Sequence, residues 1–119
     1  VETADLTLEL LLRTMSDRGA SDLHLTENSP PILRVDGDLI RVKTPPLTRA
    51  DTERLCCGAL TELQQTRFAE ELELDLSLDH PDIGRFRVNL FRQKGAVAGA
   101  YRAIATTVPG LEELGLPPI

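Results

Sequence analysis

Leu72-Glu73-Leu74-Asp75-Leu76-Ser77-Leu78-Asp79 alternates leucine with an acidic or polar residue at every step. A period of two marks a strand with one buried and one wetted face, because successive side chains leave a strand on opposite sides. His80 to Gly84 supplies a turn. Arg85 to Arg92 then alternates again, with Phe86, Val88 and Leu90 inward and Arg85, Arg87 and Asn89 outward. Phe91 breaks this alternation and predicts a bulge. Gly95 marks a reversal, and Ala96 to Ile104 reads as a further strand in which Arg102 shares a face with Ala98, Ala100 and Ile104. Strands joined by short turns predict an antiparallel sheet.

Toward the N-terminus the period changes. Between Asp5 and Arg18, Leu8, Leu11, Leu12 and Met15 recur at helical spacing and Gly19 is a stop signal, so a helix comes first. Ser21 to Glu27 returns to period two, with Leu23 and Leu25 inward. After Pro30-Pro31, Ile32 to Val35 and Leu39 to Val42 flank Asp36-Gly37, a pair whose tolerance of positive φ predicts a tight hairpin. Thr48 with Asp51, and Thr61 with Gln64, have the spacing of capping boxes and predict two more helices. The first directs Leu55, Cys56, Ala59 and Leu60 to the core, and the second has a weaker face of Leu63, Phe68 and Leu72. Thr106 to Ile119 reads as an exit segment containing Pro and Gly. The class is α+β, an antiparallel sheet with flanking helices, N-terminal helix first.

A chain of 119 residues with 41% hydrophobic content suffices for one core without metal or disulfide staples. The net charge of −6 argues against a general binder of nucleic acid or anionic membrane, which needs a basic surface. No apolar run approaches the length of a membrane span, and no signal peptide is evident, so the expectation is a cytoplasmic protein. The start at Val1 rather than Met, and the end at Pro117-Pro118-Ile119, suggest a piece of something longer. Cys56 and Cys57 are adjacent on a predicted helix, where neighbouring side chains diverge. With no CxxC pair or His/Cys cluster, core packing is the expected role.

Charge is segregated. Residues 1 to 82 carry 8 basic and 17 acidic residues, whereas 83 to 111 carry Arg85, Arg87, Arg92, Lys94 and Arg102 with no acid. Guanidinium forks match phosphate and carboxylate oxygens, so arginines on adjoining strands suit an anion. The plainer reading pairs them with Glu73, Asp75 and Asp79 on the neighbouring strand. From the pattern both stand. Asp22 and His24 share a strand face and could form a hydrogen-bonded pair, but no nucleophile or oxyanion loop accompanies them, so a structural bond is the better reading. His80 reads as a solvated turn residue, and neither histidine has a second metal ligand at a recognisable spacing. The sequence also lacks G-x-x-x-x-G-K-[ST], the loop that cradles nucleotide phosphates, so the chain is not expected to be an enzyme by itself.

Four segments occur in a familiar order: Gly19-Ala20-Ser21-Asp22-Leu23-His24-Leu25; Pro30-Pro31 with Arg34-Val35-Asp36-Gly37; Arg85-Phe86-Arg87-Val88-Asn89 with Phe91-Arg92-Gln93; and Leu111-Glu112-Glu113-Leu114-Gly115-Leu116-Pro117. In this order and spacing the chain resembles type IV pilus retraction ATPases, members of the secretion ATPase superfamily, over essentially its whole length. The resemblance implies a PAS-like N-terminal domain over 1–110, with 111–119 starting a linker to an absent RecA-like ATPase domain. It implies a homohexamer acting with ATP and Mg2+ at the cytoplasmic face of the inner membrane, at the pilus platform protein, to drive pilus disassembly and twitching motility. It also implies that N-terminal-domain arginines reach nucleotide held by the catalytic domain. Arg87 and Arg102 match best, with Arg85 and Arg92 behind them. The competing expectations are an independent PAS-like ligand sensor, a pure oligomerisation module, or the same domain of a pilus-extension or type II secretion ATPase.

Overall fold

The computed structural model describes residues 6–58 and 60–104. Their elements are α1 (Leu8–Asp17), β1 (Asp22–Leu25), β2 (Ile32–Val35), β3 (Asp38–Arg41), α2 (Arg49–Cys57), α3 (Glu62–Glu71), β4 (Glu73–His80), β5 (Gly84–Gln93) and β6 (Ala96–Ala103). All six strands form one antiparallel sheet in the order β3-β2-β1-β6-β5-β4. The last strand therefore lies beside the first and joins two hairpin units into one sheet.

Local chemistry accounts for most boundaries. The Thr7 side chain accepts from the Leu10 amide to start α1, and Gly19 leaves the helix with φ +66°. Both capping boxes form, Thr48 with Asp51 and Thr61 with Gln64. Asp36 and Gly37 have φ of 52° and 84°, the left-handed pair that the β2–β3 hairpin needs. The predicted α1 stripe is borne out: Leu11, Leu12 and Met15 are buried, with Leu8 partly so. They meet Leu23, Leu33, Leu90 and Tyr101 from the sheet and Leu55, Cys56 and Phe68 from α2 and α3. Each such large apolar side chain contributes about 1.5–3 kcal/mol relative to exposure. Cys56 is buried and Cys57 half-buried, and both are free thiols.

Several local expectations need correction. No bulge occurs at Phe91: pairing runs unbroken from Phe86 to Gln93, and Phe91 faces out, half-buried, directly opposite the small Ala98. A small partner lets an aromatic occupy the outer face without shifting register. Leu63 is 72% exposed, and Leu72 is exposed at the left-handed C-cap of α3 with φ 62°, so Phe68 alone anchors that helix among its described apolar residues. His80 ends β4 instead of sitting in the turn. Its Nδ1 accepts from the Asp82 amide at 3.2 Å, and its Nε2 lies 3.4 Å from Glu9. Ala59 and the segment 105–119, including Leu111 to Pro117, lie outside the described residues.

Candidate functional site: an arginine pair on the open sheet face

The apolar half of each alternating strand faces the helices, so the polar half lines the other face. Strand register places Arg34, Asp22, Arg102, Arg87 and Ser77 in one row across β2, β1, β6, β5 and β4. The next row carries His24, Ala100, Asn89 and Asp75. Both rows border an open depression of about 470 Å³ lined by Asp22, His24, Asp75, Arg87, Asn89 and Arg102 among others.

The four arginines singled out in the sequence have different circumstances. Arg85 stands opposite Asp79 and donates from Nε to its carboxylate at 2.8 Å, the plain cross-strand pair. Arg92 falls on the helix side, its guanidinium 5.3 Å from the centre of the Phe68 ring and Nη1 donating to the Gly95 carbonyl at 3.2 Å. Arg87 and Arg102 are directly opposite each other on β5 and β6. Arg102 is 74% exposed and donates from Nε to Asp22 Oδ1 at 3.2 Å. Arg87 faces Ser77 on its other side, and its side chain has no hydrogen bond or ion pair among the described residues.

Two participants, Asp22 and Arg34, were named in the sequence but given no part in an anion site. Asp22, its side chain only 15% exposed, accepts from Ser21 Oγ at 2.8 Å and lies 3.7 Å from Arg34 Nε as well as bonding Arg102. It does not form the expected hydrogen bond with His24 among the described contacts. Partial burial disfavours its charge, but the Ser21 and Arg102 hydrogen bonds, reinforced by the charges of Arg102 and His24, hold its pKa below the usual carboxylate value. Arg34 donates from Nη1 to the Gly37 carbonyl at 3.2 Å, so the Asp36-Gly37 turn also fixes this arginine. Asn89 donates to Asp75 at 2.8 Å.

Chemically, the row is a donor surface. Like charges directly opposite in a sheet are destabilising, and Asp22 compensates only the Arg102 side. Such an arrangement suits an incoming oxyanion. Among the described residues no three His, Cys, Asp or Glu side chains converge as a metal site, and the carboxylates near the pair are bonded to Arg102, Ser21 and Asn89. The face thus presents guanidinium donors of the kind that match oxyanion oxygens.

No protein-family model matches the sequence. It is, however, 41% identical over 106 residues to the type IV pilus retraction ATPase PilT of Pseudomonas aeruginosa, covering 89% of this chain and 31% of that one. It is a homologue of the type IV pilus retraction ATPases. The type IV pilus ATPase PilU of the same organism is 40% identical over 114 residues, 96% of this chain and 30% of the relative. The crystal structure of the pilus retraction motor PilT with bound ADP superposes with a TM-score of 0.79 at 37% identity, covering 96% of this chain and 34% of that one. This retraction-ATPase homologue therefore has the expected α+β fold, and it spans about a third of the length of the curated relatives it matches. Among the described residues no helix is long and apolar enough to cross a membrane.

Proposed function

We propose that this chain is the N-terminal domain of a hexameric pilus retraction ATPase, with residues 1–110 as the domain and 111–119 opening a linker to a RecA-like ATPase domain. In this reading Arg87 and Arg102 meet the terminal phosphate of ATP held by that second domain. The observation that carries the reading is the pair itself: two guanidinium groups on directly opposite residues, with Arg87 unpaired among the described residues. The ADP in the solved retraction motor agrees with a nucleotide in the intact protein.

Guanidinium groups stabilise negative charge on a transferring phosphoryl group, so closure of the two domains is favoured with ATP and weakened after hydrolysis and release. Repeated closure and release would turn hydrolysis into rigid-body movement that drives pilus disassembly and twitching motility. The motor would work in the cytoplasm, at the inner-membrane platform protein, with Mg2+ bound outside this chain. Arg85 and Arg92, already engaged with Asp79 and with Phe68 and Gly95, have lesser roles.

The test is ATP turnover by the full-length protein carrying Arg87→Ala or Arg102→Ala, with hexamer formation followed by size. A large fall in turnover by intact hexamers is expected. Wild-type turnover from both variants would remove the arginine assignment, and loss of the hexamer would make the face a packing surface.

A further inference from the structure

Resting on that reading, we infer that Asp22 is the positioning residue of the arginine pair: it holds Arg102 by Nε so that the terminal fork of that arginine stays beside Arg87 and open to phosphate.

Both Asp22 oxygens are committed. Oδ1 accepts from Arg102 Nε at 3.2 Å, while Oδ2 accepts from Ser21 Oγ at 2.8 Å and lies 3.7 Å from Arg34 Nε. Ser21 is itself fixed, its amide donating to the Arg34 carbonyl at 2.8 Å, and Arg34 is tied to the Gly37 carbonyl. The carboxylate therefore sits in a frame built by three strands and one turn. A guanidinium has five N–H donors, and engagement through Nε leaves terminal donors available. Those of Arg102 make no hydrogen bond among the described residues.

Without this contact nothing in the row would keep Arg102 beside Arg87. Two long cations on opposite residues repel and have ample rotamer freedom to swing apart. Asp22 removes part of the repulsion and fixes the orientation: the carboxylate is itself held by Ser21, while the arginine it holds remains open to solvent. Bidentate phosphate binding depends on a held fork more than on charge alone.

The inference is tested by a double-mutant cycle in the full-length protein and by nitrogen-15 NMR of the 119-residue chain. Asp22→Asn is expected to lower kcat/KM for ATP roughly tenfold in the wild-type background and by less than about twofold when Arg102 is already alanine. The Arg102 Nε–H resonance, distinct at pH 7 in the wild type, should disappear in the variant. Arg102→Lys keeps Asp22 and the charge but lacks the fork, and should lose within about threefold as much as Arg102→Ala. Equal losses from Asp22→Asn in both backgrounds would make Asp22 merely structural and overturn the inference. Wild-type turnover by Asp22→Asn, an unchanged Arg102 resonance, or full activity of Arg102→Lys would overturn it too. If Arg102→Ala turned over like wild type, the phosphate assignment itself would fail, and the resonance would then decide alone whether Asp22 holds Arg102.

Discussion

Arg87→Gln should make this sheet slightly more stable while damaging the proposed function. Arg87 stands opposite Arg102 and has no compensating partner among the described residues, so its charge is a local cost. Opposed like charges across a sheet destabilise by about 0.2–1 kcal/mol, and the glutamine keeps most of the stem that covers the strand. A gain of about 0.5 kcal/mol in a domain of this size raises Tm by about 2 °C. The effect is electrostatic and exposed, so it should shrink below about 1 °C in 1 M salt, where the screening length is roughly 3 Å. Thermal melts of the two chains at low and high salt measure this directly. A variant melting 2 °C or more below wild type would show that Arg87 holds the fold together. A gain indifferent to salt would equally refute the reasoning.

Other consequences follow from the same geometry. Because the folded pKa of Asp22 is depressed, its stabilisation is complete above the unfolded value of about 4 and is lost as pH falls through the folded value. The Tm difference between wild type and Asp22→Asn should therefore be constant near neutrality and shrink below pH 4; a difference flat to pH 2 would count against the ion pair. Among the described residues the buried Tyr101 hydroxyl has no partner of hydrogen-bond geometry, so Tyr101→Phe should be neutral or stabilising by up to about 1 kcal/mol in urea titration. A loss above that size would reveal a bond to the hydroxyl. Burial pushes the Cys56 thiol up to about 11, and Cys57, raised for the same reason, is more exposed. Iodoacetamide at pH 8 should accordingly modify Cys57 first in the native chain, and mass mapping that found Cys56 first would contradict this packing.

Features set by neighbouring residues were readable in the sequence, and those set by distant ones were not. Thr48, Thr61 and the Asp36-Gly37 turn act within four residues, and the leucine alternation of β4 needs only one buried face. The Asp22 to Arg102 contact spans 80 positions and exists because β6 returns beside β1, a pairing that no local period announces. Register also separates arginines that look equivalent in the chain. Arg85 meets Asp79 and is neutralised, whereas Arg87, one pleat along, meets Ser77 and Arg102. The parity break at Phe91 hid the fact that Arg92 keeps the inward parity of Leu90 and reaches Phe68. Segregation of basic residues after position 82 was the available signal for the site, but it named four candidates where the sheet brings two side by side.

The most direct test of the central claim is the affinity of the full-length protein for a non-hydrolysable ATP analogue and for ADP, with and without Arg87→Ala and Arg102→Ala. If the pair meets the terminal phosphate, each substitution weakens the analogue and leaves ADP nearly unchanged, so the preference between them collapses. Equal weakening of both ligands, or an unchanged preference, would contradict the account.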